Sequence, residues 1–323
     1  MNLRNAKRAS SSTEERASAR VEELLRAGAI RLREADVDAP GVCAEMLMAH
    51  LLGGDRGALI RRSKDPLTMD DVGRFEEMLA RRVAREPVQH IVGRTEFWSL
   101  DILCDASALI PRPETEVVVE TALGLLKNSA APMIADIGTG TGCIAIALAT
   151  ELPRARLYAS DISRDALELA ARNLAAHRLT QRVQLLEGDM AEPFLKRDLA
   201  GKFDAIVCNP PYIAESEKPS LQPEVRDYDP EIALFGGRDG LRVIARLLAE
   251  AGPLLKPAGH LIMEIAQGQA PAVRELAKQS SGGPSTNAQG RPEFDRRGGW
   301  RVIRTIADPA GIERVLLIQK EKP

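Results

Sequence analysis

Five short apolar runs, 133–137, 156–160, 183–186, 203–208 and 260–265, are separated by stretches long enough to hold a helix each. This alternation constrains the fold more than any other feature of the chain. Runs that are mostly apolar, rather than apolar on alternate residues only, belong to strands buried on both faces. Helical crossovers between them imply a parallel sheet with a helix layer on each side. Two further runs, 301–305 and 315–319, lie too close together for a helical crossover and predict an antiparallel pair at the sheet edge. The fold class read from the pattern is α/β, a mostly parallel sheet with an antiparallel edge. In such open sheets ligands bind outside the carboxyl ends of the strands.

The residues at those ends are polar and specific. Asp136-Ile137-Gly138-Thr139-Gly140-Thr141-Gly142 closes the first run and opens a helix at Cys143. Its glycines let backbone approach a ligand closely. A dinucleotide fingerprint would need glycine where Cys143 stands. Asp136 would also repel an anion, whereas a cationic amino acid moiety or a sulfonium would tolerate it. Asp161 closes the second run roughly 20 residues on, where a carboxylate can hold both ribose hydroxyls. Gly188-Asp189-Met190 closes the third, so that Asp189 can reach an adenine amino group and Met190 can pack on the ring. Each piece alone has an ordinary reading: glycine for packing, Asp161 as a helix cap, Asp189 in a turn. At three successive strand ends they offer groups for an amino acid tail, a ribose and an adenine.

The fourth run, 203–208, stops at Asn209-Pro210-Pro211-Tyr212. The prolines donate nothing, while the Asn209 side chain and the Pro210 carbonyl accept hydrogen bonds. Two fixed acceptors suit a planar NH2 group. An amide or amino nitrogen is a poor nucleophile because its lone pair is delocalised, and acceptors on both hydrogens relieve the positive charge it develops on attacking an electrophile. Tyr212 supplies an aromatic face for the flat group. A plain turn is the alternative for these four residues taken alone.

Residues 1–13 read as a frayed N-terminus, and 14–86 as a small helical bundle: Val21, Leu25, Ala29 and Leu32 share a face, a second helix runs from Pro40 to Gly53, and Val72, Phe75, Leu79 and Val83 mark a third. The pattern then changes, and 87–107 reads as a hairpin linker carrying Phe97 and Trp98. Residues 108–323 form the α/β domain, with a mobile insertion at about 279–299 rich in Ser, Gly, Pro, Asn and charge. At the entry to this domain, Ile110-Pro111-Arg112-Pro113-Glu114-Thr115-Glu116 reads either as a stiff helix start or as a lid over the ligand, and both readings stand. With 323 residues, 44% of them hydrophobic, the chain has enough apolar surface for at least one full core. Its formal charge of −2 argues against a protein that lives on duplex nucleic acid. No apolar run approaches the ~20 residues needed to cross a bilayer and no signal peptide precedes the first helix, so a soluble, cytoplasmic protein is expected. The four cysteines and four histidines are scattered without metal-ligand spacing, and no metal is expected.

The order of strand-end groups resembles that of class I S-adenosyl-L-methionine-dependent methyltransferases, whose fold is Rossmann-like. Residues 87–93, Phe97, the 110–116 segment, the glycine loop, Asn209 to Tyr212, and Ala233-Leu234-Phe235-Gly236-Gly237-Arg238-Asp239-Gly240-Leu241 together resemble the protein-(glutamine-N5) methyltransferases of peptide chain release factors, over nearly the whole chain. That resemblance implies a helical N-terminal domain that holds the protein substrate. It also implies a catalytic domain that methylates the glutamine in the Gly-Gly-Gln loop of class 1 release factors. Two features depart from the family pattern: Met190 stands where an aromatic residue is frequent, and the insertion is longer than usual. The alternative reading is an adenine-N6 nucleic-acid methyltransferase, which shares Asn-Pro-Pro-Tyr but requires a basic groove and a base-flipping pocket. A non-catalytic binder of the same cofactor would have no need of Asn209 and Tyr212.

Overall fold

The computed structural model describes residues 19–280 and 299–321. The expected frayed terminus, 1–13, and all but the ends of the 279–299 insertion lie outside the described residues. The chain divides into two compact units, one reaching to Val92 and the other starting at Gly93.

The first unit is helical: α1 Val21–Glu34, α2 Pro40–Leu52, α3 Arg56–Arg61, α4 Met69–Val83 and α5 Val88–Val92. Its core gathers Leu32, Leu47, Met48, Phe75 and Leu79, all fully buried. The Thr68 hydroxyl caps α4 by accepting from the Asp71 amide at 3.1 Å, and Asp55 caps α3 by accepting from Ala58 at 2.7 Å. The unit extends past the expected boundary at residue 86 because Val88, Ile91 and Val92 form α5 and bury their side chains in this core.

The second unit opens with a hairpin, β1 Arg94–Phe97 and β2 Leu100–Leu103, joined by Trp98 and Ser99 at φ 54° and 55°. Non-glycine residues in that left-handed region are strained. Here the turn is held by Glu116, which accepts from the Trp98 amide at 2.7 Å, and by Glu151, which accepts from its indole N–H at 3.0 Å. There follow α6 Glu116–Leu126, β3 Met133–Ile137, α7 Cys143–Glu151, β4 Arg156–Asp161, α8 Arg164–Ala176, β5 Val183–Glu187, α9 Glu192–Leu195 and β6 Phe203–Cys208. The chain continues through α10 Pro223–Tyr228, α11 Glu231–Leu234, α12 Arg242–Ala251, β7 Leu255–Glu264, α13 Ala270–Gln279, β8 Trp300–Ala307 and β9 Glu313–Lys320.

Seven strands pair in the order β5-β4-β3-β6-β7-β9-β8. The pairs from β5 to β7 are parallel, and β9 is antiparallel to both β7 and β8, the edge arrangement expected. Along β6 the side chains alternate: Ala205 and Val207 join the core under α6 and α7, Ile206 and Cys208 the core under α9, α12 and α13. Both faces of the sheet are thus covered, which is why the strand runs are mostly apolar. Strand order reverses between β3 and β6, and the crevice at their carboxyl ends is the position for a ligand.

Candidate active site

A cavity of about 820 Å³ opens at that reversal. The glycine loop after β3 walls one side, with Gly138, Gly140 and Gly142 at φ 72°, 55° and 83°. A Cβ added at Gly138 meets nothing within 4 Å and one at Gly140 meets only Ala108 at 3.8 Å, so the need for glycine there comes from backbone conformation and not from crowding within the protein. Asp161, at the end of β4, lines the cavity. One of its carboxylate oxygens accepts from the Gly140 amide and the other from the Ser163 amide, each at 2.9 Å. Burial raises its pKa, opposed by these backbone bonds. Asp189 and Met190, after β5, line the far side. Ser160 Oγ, also in the wall, is buried and has no hydrogen-bond partner among the described residues. Glycines at positive φ, two carboxylates and an unpaired hydroxyl make a donor and acceptor set that fits a nucleoside carrying an amino acid tail.

Four placements differ from, or add to, the expectation. Asp136 does not wall the cavity; it is 0% exposed beneath the glycine loop, where it accepts from the Thr139 hydroxyl at 2.6 Å, and burial pushes its carboxyl up to about 7. Through that bond it shapes the turn. Thr139 and Thr141 line the cavity but are nearly buried themselves. Asp189 is not free: Arg246 of α12 also lines the cavity and donates to it at 2.9 Å. The 110–116 segment both enters a helix and lines the cavity. Pro113–Thr115 form a single turn that enters α6, while Ile110, Pro111, Arg112 and Thr115 wall the cavity. Arg112 is anchored to the buried Asp229 at 2.6 Å; burial pushes that carboxyl up to about 6 against the pull of the guanidinium.

A second cavity, of about 260 Å³, shares Leu109, Arg112, Asn209, Pro210 and Ala233 with the first. Tyr212, Leu221 and Val225 contribute to its wall. Thr115 of the 110–116 segment and Glu264, which the sequence did not single out, join the Asn-Pro-Pro-Tyr group here. Asn209 Nδ2 donates to Thr115 Oγ1 at 3.1 Å, and Thr115 Oγ1 donates to Glu264 Oε2 at 2.7 Å. The Tyr212 hydroxyl donates to the other oxygen of Glu264 at 2.9 Å. Burial raises the Glu264 pKa, opposed first by the two hydroxyl hydrogen bonds. Glu264 ends β7 as Asp161 ends β4, and that shared position was the available signal.

The loop itself is braced by the 233–241 segment. Ile213 donates to the Leu234 carbonyl at 3.0 Å and Gly236 donates to the Ile213 carbonyl at 2.9 Å. Gln269 Nε2 donates to the Tyr212 carbonyl at 3.0 Å. Among the described residues no group of three or more His, Cys, Asp or Glu could hold a metal ion, the four cysteines are buried and free, and no helix is long and apolar enough to cross a membrane.

Residues 23–93 match the model of the PrmC N-terminal domain, and 116–223 that of the methyltransferase small domain. The release factor glutamine methyltransferase of Koribacter versatilis is 36% identical over 289 residues, covering 90% of this chain and 94% of that protein. The protein of the same name from Moorella thermoacetica is 42% identical over 267 residues, covering 83% and 92%. Among solved structures, the hMettl16 catalytic domain in complex with MAT2A 3'UTR hairpin 6 has a TM-score of 0.51 at 15% identity, covers 75% of this chain and 81% of that one, and shares the fold.

Proposed function

The chain belongs to the family of release factor glutamine methyltransferases, and from that premise we propose that it methylates the side-chain amide nitrogen, N5, of the glutamine in the Gly-Gly-Gln loop of class 1 peptide chain release factors. One observation carries the assignment: Asn209 and Pro210 line both cavities. S-adenosyl-L-methionine is the donor and supplies an electrophilic methyl group on a sulfonium. Its amino acid end belongs at the glycine loop, its ribose at Asp161, and its adenine beside Asp189 and Met190. The glutamine enters the 260 Å³ cavity with its stem against Leu221 and Val225 and its ring-facing side on Tyr212.

There the chain's own groups act on the amide. Asn209 Oδ1 and the Pro210 carbonyl accept its two hydrogens and turn the nitrogen toward the first cavity. The nitrogen becomes positive as it takes up the methyl group, both acceptors gain strength, and the proton is then lost to water. No residue has to act as a base beforehand. The adenine-N6 reading would use the same acceptors, but family membership favours a protein substrate. The reaction belongs in the cytoplasm, where the factors act. Incubation with labelled donor and purified release factor tests the assignment: label is expected on the factor and is expected to vanish when the Gly-Gly-Gln glutamine is replaced. Labelling of DNA in its place would reverse it.

Two further outcomes are expected. Asp161→Ala should weaken donor binding by about 1.5 to 3 kcal/mol, the scale of charged hydrogen bonds, while slowing the methyl step much less. The loss includes the Gly140 amide, which Asp161 holds in place. Unchanged affinity by calorimetry would remove Asp161 from the ribose site. We also assign substrate docking to the helical unit. A chain starting at Gly93 is expected to bind the donor normally and methylate release factor poorly, and equal turnover by both forms would refute this docking role.

A further inference from the structure

We propose that Thr115 and Glu264 are positioning residues that fix the polarity of the Asn209 amide, so that its oxygen and not its NH2 faces the substrate. The inference rests on the functional reading above. An amide side chain is nearly symmetric in shape, and a pocket that held Asn209 the other way round would offer a donor where the glutamine NH2 needs an acceptor. The choice is made by hydrogen-bond bookkeeping through buried groups. Ionised Glu264 can only accept, and it takes the Thr115 hydroxyl at 2.7 Å and the Tyr212 hydroxyl at 2.9 Å. Once the Thr115 hydrogen is committed to Glu264, its oxygen can only accept. The atom of Asn209 at 3.1 Å from it must therefore be Nδ2. Thr115 is 2% exposed and Glu264 1%, so these hydrogen bonds are made by nearly buried groups. The same carboxylate ties down the Tyr212 hydroxyl, which leaves the ring as the surface Tyr212 offers. One strand-end carboxylate thus orients both polar ends of the Asn-Pro-Pro-Tyr group, from a helix entry and a strand that neither prolines nor loop could influence alone.

A double-mutant cycle read by single-turnover methyl transfer to release factor tests this, with donor affinity measured by calorimetry to show that each variant is folded. Thr115→Val keeps the shape and removes the hydroxyl; a loss of about 10- to 100-fold in rate is expected, with donor affinity changing much less. Thr115→Ser, which restores the hydroxyl, should recover most of that loss. In an Asn209→Ala background Thr115→Val should cost nothing further, because it acts through Asn209. Glu264→Gln offers a single acceptor oxygen for two hydroxyls and should also slow transfer, by about 10-fold, which keeps the test available if Thr115→Val does not fold. Wild-type rates in Thr115→Val or Glu264→Gln, or an equal loss from Thr115→Val in both backgrounds, would overturn the positioning role. Wild-type rates in Asn209→Ala would instead overturn the functional reading beneath it.

Discussion

Asn209→Ala is expected to lower single-turnover methyl transfer on the order of 10²-fold or more, the scale of removing one oriented polar group from a charged transition state, while donor affinity changes much less. A glutamine amide nitrogen shares its lone pair with the carbonyl, so it attacks only if that delocalisation is given up. The resulting positive charge is carried largely on its two hydrogens. Acceptors placed on those hydrogens before the reaction stabilise the transition state more than the substrate, which makes the effect one on rate rather than on binding. Asn209→Asp discriminates further: it keeps an acceptor but cannot donate to Thr115, so a fraction of the rate should survive. Wild-type turnover in Asn209→Ala would mean that Asn209, which lines both cavities, is not where the nitrogen is held.

The sheet and its ligand-bearing edge were legible because each parallel strand is an apolar run closed by a polar residue, a pattern that depends only on local sequence. What depends on distant partners was not. Glu264 sits inside a run that reads as continuing to Ile265, and its meaning comes from Thr115 on a different element. Asp189 reads as an adenine contact, but Arg246, on a helix far along the chain, shares its carboxylate. Asp136 reads as a ligand group because it precedes glycines, yet the strand delivers it beneath the loop at 0% exposure. Strand β7 begins at Leu255, earlier than its pattern, because Pro257, Ala258 at φ 62° and Gly259 break the apolar run without breaking the strand. Helices α3 and α5 are too short for periodicity to register.

Gly240→Ala is expected to slow methyl transfer by about 10²-fold and to lower the melting temperature by roughly 5 to 15 °C, although Gly240 lines neither cavity. Its φ of 75° is one that alanine adopts at a cost of about 1 to 2 kcal/mol. The larger cost is contact: a Cβ there would overlap the Tyr212 carbonyl oxygen and lie 3.0 Å from Gln269 Nε2, the group that donates to that carbonyl. Backbone cannot turn aside as a side chain does, so the Tyr212 peptide must shift, adding about 1 to 3 kcal/mol. The shift falls on the Asn209 to Tyr212 loop, whose neighbouring brace is equally tight, since a Cβ on Gly236 would stand 2.6 Å from the Pro211 carbonyl oxygen. A displacement of the acceptors by even 1 Å misaligns the amide, while the glycine loop and Asp161, on other strands, keep the donor site intact. Gly201→Ala is the control: φ there is 66° but nothing lies within 4 Å, so it should show the conformational cost alone and full activity. If Gly240→Ala matched Gly201→Ala in both stability and rate, the 233–241 segment would not be the support that holds the catalytic loop in register.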